Sequence, residues 1–180
     1  GNIATVTAPD GQVTTYTYEP VFSQAASVTN ALGQTTLYAH DVQGNVTQVV
    51  DPLGNATQIG YNSFGQPTSA ADPLGNKTAF EYDAHGNLVK TTDPLANAVT
   101  RTYDALGRLA SLTDPLGRTT AYQYDLRDRI TAVTDPAGGV TSYQYDPNGN
   151  LLQLTDAKGQ EMMFGYTLRD RAASFTDGLG

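Results

Sequence analysis

A motif that returns every 21 residues constrains the fold of this chain more than any other feature. Asp-Pro-Leu-Gly, or a close variant of it, begins without insertions at Asp51, Asp72, Asp93, Asp114, Asp135, Asp156 and Asp177. A second motif, Tyr followed by Asp or a substitute, has the same interval and begins at Tyr61, Tyr82, Tyr103, Tyr124, Tyr145 and Tyr166. A fixed period of about 20 to 50 residues is typical of repeat architectures. The sequence therefore predicts an array of repeated units over nearly the whole chain.

Each repeat has the pattern of a β-hairpin. In residues 118–125, Thr120, Tyr122 and Tyr124 alternate with other residues, and a period of two in a segment rich in Thr and Tyr predicts a strand. The return strand is predicted over Leu109–Thr113. Two short strands and two turns fill the repeat, so no room remains for a helix.

The residues between the strands have the chemistry of tight turns. Asp in the first position, Pro in the second and Gly in the fourth are typical of a type I turn, and the Asp side chain can accept bonds from backbone N–H groups ahead of it. Gly supplies a left-handed residue, and the Tyr-Asp turns carry it at Gly44, Gly65, Gly86, Gly107 and Gly149. Asp128 and Asp170 replace it in two turns, and Asp is one of the few side chains that tolerate a positive φ. These Tyr, Asp and Gly positions are predicted to be structural.

The predicted fold is all-β, an array of about eight 21-residue antiparallel β-hairpins that form a curved, spiralling sheet. A sheet of this width is expected to curl, because strands twist and open sheets of many strands rarely stay flat. We expect a single domain over residues 1–180, cut from a longer array. Its hairpins are predicted at 13–29, 34–50, 55–71, 76–92, 97–113, 118–134, 139–155 and 160–176.

Composition excludes several function classes. The 180 residues contain no Cys, so disulfide scaffolds, thiolate zinc sites and thiol nucleophiles are excluded. A net charge of −8 with only 10 Lys and Arg argues against a nucleic-acid partner, and no apolar run is long enough to insert into a membrane.

Every Lys and Arg of the chain lies at or after Lys77. Because Arg108, Arg118 and Arg129 stand where earlier repeats have Asn, the asymmetry is interpreted as drift at permissive exposed sites.

No catalytic, metal or cofactor site is predicted. A pair of catalytic carboxylates needs two dissimilar environments, and identical Asp copies every 21 residues offer none. His40 and His85 have no second His or Cys at ligand spacing. The Tyr columns pose a choice between cross-strand packing and a sugar-binding stripe, and Ile59 and Phe80 in the same column favour packing because neither can hydrogen-bond a sugar.

The repeat resembles a known family. Residues 103–109 and 113–118, read together as Tyr-Asp-Ala-Leu-Gly-Arg-Leu and Thr-Asp-Pro-Leu-Gly-Arg, are similar to the YD repeat of bacterial Rhs proteins, insecticidal toxin-complex subunits and animal teneurins. The resemblance extends along nearly the whole chain. It is interrupted at His40, Asn62, Thr167, Asp156–Lys158 and the irregular stretch Pro20–Ala26.

What the resemblance implies is a β-ribbon that spirals into a hollow shell around a C-terminal toxic effector. Members usually end in a segment that cleaves itself through acidic residues, and the sequence shows neither that segment nor a toxin domain. The implied partners are flanking repeats and a toxin domain of the same parent protein, and the implied location is outside the bacterial cell or in its envelope.

The leading hypothesis is thus a non-enzymatic shell segment of a secreted toxin. A carbohydrate-binding or adhesive surface is the alternative, and an enzyme completed by neighbouring domains is a third. The sequence leaves open which sheet face lines a cavity, because Leu109 and Leu112 point in opposite directions unless a bulge separates them.

Overall fold

Every regular element in the computed structural model, which describes residues 2–178, is a β-strand. The strands are β1 (Thr5–Thr7), β2 (Val13–Tyr18), β3 (Ala25–Thr29), β4 (Thr35–His40), β5 (Val46–Val50), β6 (Ala56–Tyr61), β7 (Pro67–Ala71), β8 (Lys77–Tyr82), β9 (Leu88–Thr92), β10 (Ala98–Tyr103), β11 (Leu109–Thr113), β12 (Thr119–Tyr124), β13 (Ile130–Thr134), β14 (Val140–Tyr145), β15 (Leu151–Thr155), β16 (Glu161–Tyr166) and β17 (Ala172–Asp177). The predicted all-β array of antiparallel hairpins is confirmed.

The chain divides into two compact units. The first contains Gly1–Glu81 and Thr91–Asn97, and the second contains Tyr82–Lys90 and Ala98–Gly180. In the first unit each of the strands β1 to β7 pairs antiparallel with the next strand along the chain, and in the second unit each of β10 to β16 does the same. The assignment of both units to a single domain stays a prediction.

The two ends of the array differ from the predicted hairpins. β1 is an additional strand ahead of the first of them, and it pairs with β2 through Thr5 and Thr15. At the other end Asp177 closes β17 opposite Met162. The last two residues of the motif predicted to start at Asp177, residues 179–180, lie outside the described residues.

A β-bulge at one fixed position decides which residues share a face. Tyr103 pairs with Leu109 and Arg101 with Leu112, and the register shifts between Thr102 and Tyr103. Because the bulge adds one residue to the return strand, Leu109 and Leu112 point to the same face. The same shift occurs in the hairpins β2–β3, β4–β5, β6–β7, β12–β13, β14–β15 and β16–β17.

The sheet in each unit therefore has two chemically distinct faces. One, called here the aromatic face, carries the two Tyr columns together with the apolar residues paired to them, such as Val133 opposite Tyr122 and Ile130 opposite Tyr124. The opposite face, called here the polar face, carries hydroxyl pairs between neighbouring strands together with a few apolar residues, such as Leu37 paired with Val50. The paired oxygens lie 2.6 Å apart in Thr17–Ser27 and Thr102–Ser111, and 2.8 Å apart in Thr29–Thr35 and Thr113–Thr119.

Neither face is covered. Among residues 2–178 no hydrophobic side chain is fully buried, and most strand residues are half-buried by their neighbours within the sheet. Each hairpin is thus protected mainly by the hairpins beside it, which makes stability largely a sum of nearest-neighbour terms.

Candidate functional site

One five-residue turn is built from the Asp-Pro motif, and Asp51 shows how. The Asp51 N–H donates to the carbonyl of Asn55 at 2.9 Å, and the Gly54 N–H donates to the Asp51 carbonyl at 3.0 Å. The carboxylate oxygen Oδ1 of Asp51 accepts the backbone N–H groups of Leu53 and Asn55, both at 2.8 Å. Gly54, in the fourth position, has φ 86°. Asp72, Asp93, Asp114 and Asp135 occupy the first position of equivalent turns.

The Tyr-Asp motif forms the same turn at the opposite ends of the strands. Asp83 accepts the backbone N–H groups of His85 and Asn87 at 2.9 Å, and the Asp83 N–H donates to the Asn87 carbonyl at 3.0 Å. The predicted glycines Gly44, Gly65, Gly86, Gly107 and Gly149 hold the fourth position with φ between 76° and 102°. Two motifs that look different in the sequence are therefore one turn, and the first to fifth positions are numbered alike below.

The fifth position of the turn, where Asn or Arg recurs, was interpreted from the sequence only as a permissive exposed site. Its amide nitrogen Nδ2 donates to the second carboxylate oxygen of the Asp, at 2.7 Å in the pair Asn55–Asp51 and 2.8 Å in Asn97–Asp93. This side-chain bond, and then the backbone N–H of Asn55, lower the pKa of Asp51 against the opposing effect of desolvation. The carboxylates at Asp72, Asp83 and Asp93 have their pKa values lowered in the same order of causes.

Arginine in the fifth position reaches into the next repeat. The Arg108 guanidinium donates to Asp104 Oδ2, to the carbonyl of Asp125 and to Asp128 Oδ1, each at 2.8 Å. Its Cζ also lies 4.7 Å from the ring centroid of Tyr124, a cation–π distance. Only 21% of the Arg108 side chain is exposed.

Arg129 repeats this arrangement one repeat later, so the interpretation of both arginines as drift at permissive sites was wrong. Arg129 donates to Asp125 Oδ2 at 2.6 Å and to the carbonyl of Asp146 at 2.8 Å, and it covers the Tyr145 ring at 4.7 Å. Arg118 fits the interpretation better, since it pairs with Asp114 in its own turn and keeps 62% of its side chain exposed.

The Tyr column ties successive hairpins together through its hydroxyl groups. The Tyr124 hydroxyl donates to the carbonyl of Leu109 at 2.9 Å, and Leu109 begins the return strand of the preceding hairpin. Tyr18, Tyr61 and Tyr103 donate in the same way to the residue fifteen positions earlier. Tyr82, Tyr145 and Tyr166 are half-buried in the same column. At Tyr145 burial, and then the neighbouring Tyr143, raise the pKa of the phenol.

The two main departures from the repeat meet in one cleft of about 570 Å³ in the first unit. The irregular stretch contributes Val21 and Phe22, Glu19 lies just before that stretch, and His40 is the last residue of β4. The Glu19 carboxylate accepts the backbone N–H groups of Val21 at 2.7 Å and Phe22 at 2.6 Å. Glu19 therefore takes the part that Asp plays in a regular turn, and its carboxylate is already engaged by its own loop.

Among the described residues, no group of carboxylates has the arrangement of a catalytic centre. The pKa shifts found at turn aspartates are all downward, so the carboxylates resemble one another rather than forming an acid and a base. Within residues 2–178 no three His, Cys, Asp or Glu side chains converge to hold a metal ion. The same residues include no helix long and apolar enough to cross a membrane.

The sequence is similar to one repeat family. The family model described as RHS Repeat matches residues 24–56, 61–98, 103–140 and 127–161, which is well over half of the chain. No curated protein sequence matches it.

Several solved structures share the fold. A crystal structure of TcdB2–TccC3 is 18% identical over 92% of this chain with a TM-score of 0.67, and the same values hold for TcdB2–TccC3 without its hypervariable C-terminal region. A Tc holotoxin pore from Photorhabdus luminescens is 15% identical over 94% of the chain with a TM-score of 0.62. The chain spans 10% of the length of the first two and 12% of the third.

Proposed function

The chain belongs to the RHS repeat family, and on that basis we propose that it is a structural segment of the shell of a secreted bacterial toxin. In this role the sheet helps to enclose an effector domain of the same parent protein. Flanking repeats continue the sheet on both sides and are its direct partners.

The observation that carries this proposal is that the polar side chains of the array form hydrogen bonds within the array. Turn carboxylates bind their own turns, and Tyr hydroxyls bind the preceding hairpin, as Tyr103 does with the Leu88 carbonyl at 3.0 Å. Arg108 and Arg129 bind the following one. Such a sheet can be extended by adding identical hairpins. A shell requires a continuous sheet of this kind. The shared fold with TcdB2–TccC3 supports the same role.

The proposal assigns no reaction to this segment. Catalytic carboxylates work as a pair whose environments separate their pKa values, whereas the turn at Asp51 and the turn at Asp72 are chemically alike. Containment needs no such asymmetry, because the effect on the effector is physical exclusion.

The carbohydrate-binding alternative gains no support from the aromatic face. A Tyr that binds a sugar offers its ring face and its hydroxyl. The hydroxyl groups of Tyr61 and Tyr124 donate hydrogen bonds to backbone carbonyls, and Arg108 covers the ring of Tyr124. Cross-strand packing accounts for the column without a ligand.

Protease protection in the full-length parent protein tests the enclosure. A tobacco etch virus protease site placed in the effector region is expected to resist cleavage in the native protein and to be cut after unfolding in urea. Cleavage of the native protein as fast as of the unfolded one would overturn the proposal.

A matched control places the same site in an exposed turn of the array. The turn containing Leu126 suits this purpose, because that side chain is 99% exposed. This variant is expected to be cut in the native state, which shows that the protease is active under the conditions used.

A further inference from the structure

An open cleft of about 780 Å³ lies between two successive Tyr-Asp turns of the second unit, 83–87 and 104–108. Tyr103 lines this cleft together with the acids Asp83 and Asp104. The Tyr103 side chain is half-buried, and its hydroxyl donates to the preceding hairpin. The cleft therefore combines one fixed aromatic ring with two carboxylate side chains, and both kinds of group attract a cation.

The same position in the next two repeats holds a guanidinium group of the chain itself. Arg108 covers the Tyr124 ring and Arg129 covers the Tyr145 ring, each with Cζ 4.7 Å from the ring centroid. Each arginine also donates to the carboxylate of its own turn and to the carbonyl of the first residue of the next turn. Because a guanidinium binds aromatic faces and oxygen acceptors with one planar group, this part of the repeat fits a guanidinium.

Asn87 stands in the turn 83–87 where those two repeats have arginine. Its amide donates to Asp83 Oδ2 at 3.0 Å, within its own turn. Because an asparagine side chain is much shorter than an arginine side chain, the space that a guanidinium fills in the next two repeats is here part of the cleft beside Tyr103.

An acid in the next turn allows asparagine to bridge the same space elsewhere in this unit. The Asn150 amide donates to Asp170 Oδ1 of the next turn at 2.8 Å. Beside the cleft the residue equivalent to Asp170 is Gly107, which has no side chain. A guanidinium does not need that acid, since the turn next to Arg129 carries Gly149 in the same position. The Arg129 arrangement is therefore the template for a guanidinium in the cleft.

The acceptors of that template are also present in the cleft. Asp83 Oδ2 accepts the Asn87 amide, and an ionised carboxylate oxygen can accept a second bond. The Asp104 carbonyl accepts an N–H of its own turn. The equivalent carbonyl of Asp146 accepts such an N–H at 3.2 Å and the Arg129 guanidinium at 2.8 Å. One carbonyl can thus serve both donors.

We propose that this cleft binds the guanidinium group of an arginine side chain that is not part of the chain. The Tyr103 ring takes the flat face of the guanidinium, while Asp83 and the Asp104 carbonyl accept its N–H groups. A neutral group of the same shape lacks the charge that the ring and the carboxylates attract. The site stands whether or not the sheet encloses an effector.

Two-dimensional NMR of the isotope-labelled chain, titrated at pH 8 with N-acetyl-L-arginine amide, tests the site. The backbone N–H signals of His85 and Leu106, in the two turns that border the cleft, are expected to shift saturably with a Kd of about 1–10 mM. The signal of Ala137, at the opposite ends of the strands, is expected to stay in place. The absence of a saturable shift at His85 and Leu106 would overturn the proposal.

Two further compounds define the chemistry of the ligand. N-acetyl-L-citrulline amide has nearly the same shape without the charge, and it is expected to bind about tenfold more weakly or less. Equal binding of the two blocked compounds would overturn the proposal. Free L-arginine distinguishes the source: tighter binding of the blocked arginine indicates a peptide ligand, tighter binding of free arginine indicates a small-molecule ligand, and both results support a guanidinium site.

Two substitutions change the number of sites in opposite directions. Asn87→Arg supplies the cleft with its own guanidinium and is expected to weaken binding by about tenfold or more, with the fold retained in far-UV circular dichroism. Arg129→Ala uncovers the Tyr145 ring and is expected to create a second site, seen as a saturable shift of the Asn148 N–H signal. Native-like binding by Asn87→Arg, or no second site in Arg129→Ala, would contradict the proposal.

A matched control separates the site from the overall charge. Gln160→Arg adds the same charge at the fifth position of an Asp-Pro turn, where Gln160 is exposed at the other edge of the sheet. This variant is expected to bind N-acetyl-L-arginine amide like the native chain. If Gln160→Arg weakens binding as much as Asn87→Arg does, the ligand responds only to net charge and the proposal is wrong.

Discussion

Ala96 is an alanine held in a glycine conformation, and replacing it should stabilise the protein. It occupies the fourth position of the turn 93–97 with φ 66°, where the preceding Asp-Pro turn has Gly75 with φ 85°. The two turns are otherwise matched: the N–H of the fourth residue donates to the Asp carbonyl at 3.0 Å in one and 2.9 Å in the other. The Asn side-chain bonds are 2.8 and 2.7 Å. Ala96→Gly therefore isolates the backbone conformation.

The size of the effect follows from two opposing terms. A left-handed conformation costs an L-residue about 1–2 kcal/mol, and glycine gives back about 0.4–1 kcal/mol through the larger entropy of the unfolded chain. Ala96→Gly should thus raise the free energy of unfolding by about 0.5–1 kcal/mol. Gly75→Ala should lower it by a similar amount, since a Cβ there has no atom within 4 Å and only the conformation is penalised.

Urea unfolding followed by circular dichroism measures both changes. With a slope of about 2 kcal/mol per molar urea, each variant should move the midpoint by about 0.3–0.5 M, in opposite directions. The double variant Ala96→Gly/Gly75→Ala should return close to the native midpoint, because turns roughly 10 Å apart act additively. If Ala96→Gly is neutral while Gly75→Ala is destabilising, the turns are not equivalent and the reasoning fails.

Three further predictions concern the bonds within and between repeats. Tyr124→Phe removes the hydroxyl that donates to Leu109 and should lower the free energy of unfolding by about 1 kcal/mol in urea titrations, whereas no change would mean that the bond contributes nothing. Arg129→Gln should lower the thermal midpoint in a scanning calorimeter more than Arg118→Gln does, because Arg129 also binds the next repeat; equal effects would contradict the inter-repeat contact. Stability should be full above the ordinary Asp pKa of about 3.9 and should be lost as pH falls through the lowered folded values, because a carboxylate with a depressed pKa resists protonation in the folded state. Urea midpoints between pH 7 and pH 2.5 measure this loss, Asp72→Asn should reduce it, and a midpoint independent of pH would contradict the turn bonds.

The strands and turns were predictable because each depends on local chemistry. Alternation of Thr and Tyr at a period of two specifies strands, and Asp followed by Gly specifies the turns between them. The substitution of Asp128 and Asp170 for Gly was predicted from their tolerance of positive φ and is confirmed at 62° and 56°. The positive φ of Ala96 was not predicted, because an alanine side chain has no special tolerance of that conformation.

What the sequence could not supply were the contacts between repeats. The hydrogen bond from Tyr124 to Leu109 joins residues 15 positions apart, and no pattern in the sequence repeats at that separation. The role of Arg108 was missed for the same reason: its bond to Asp128 joins residues 20 positions apart, as does the bond at 2.8 Å from Asn150, in the same turn position, to Asp170. Only the register of neighbouring strands brings these groups together.

The bulge is the element on which the two-faced sheet depends. A return strand with strict alternation would place Leu109 and Leu112 on opposite faces, and one of them would stand among the hydroxyl pairs of the polar face. The shift between Thr102 and Tyr103 instead aligns both with the aromatic face, and the same shift recurs in hairpins of both units. A repeat of 21 residues, an odd number, accommodates this extra residue while keeping every hairpin in the same register as the last. The odd period is thus a structural requirement of the bulge, and it allows identical hairpins to keep all their Tyr rings on one side.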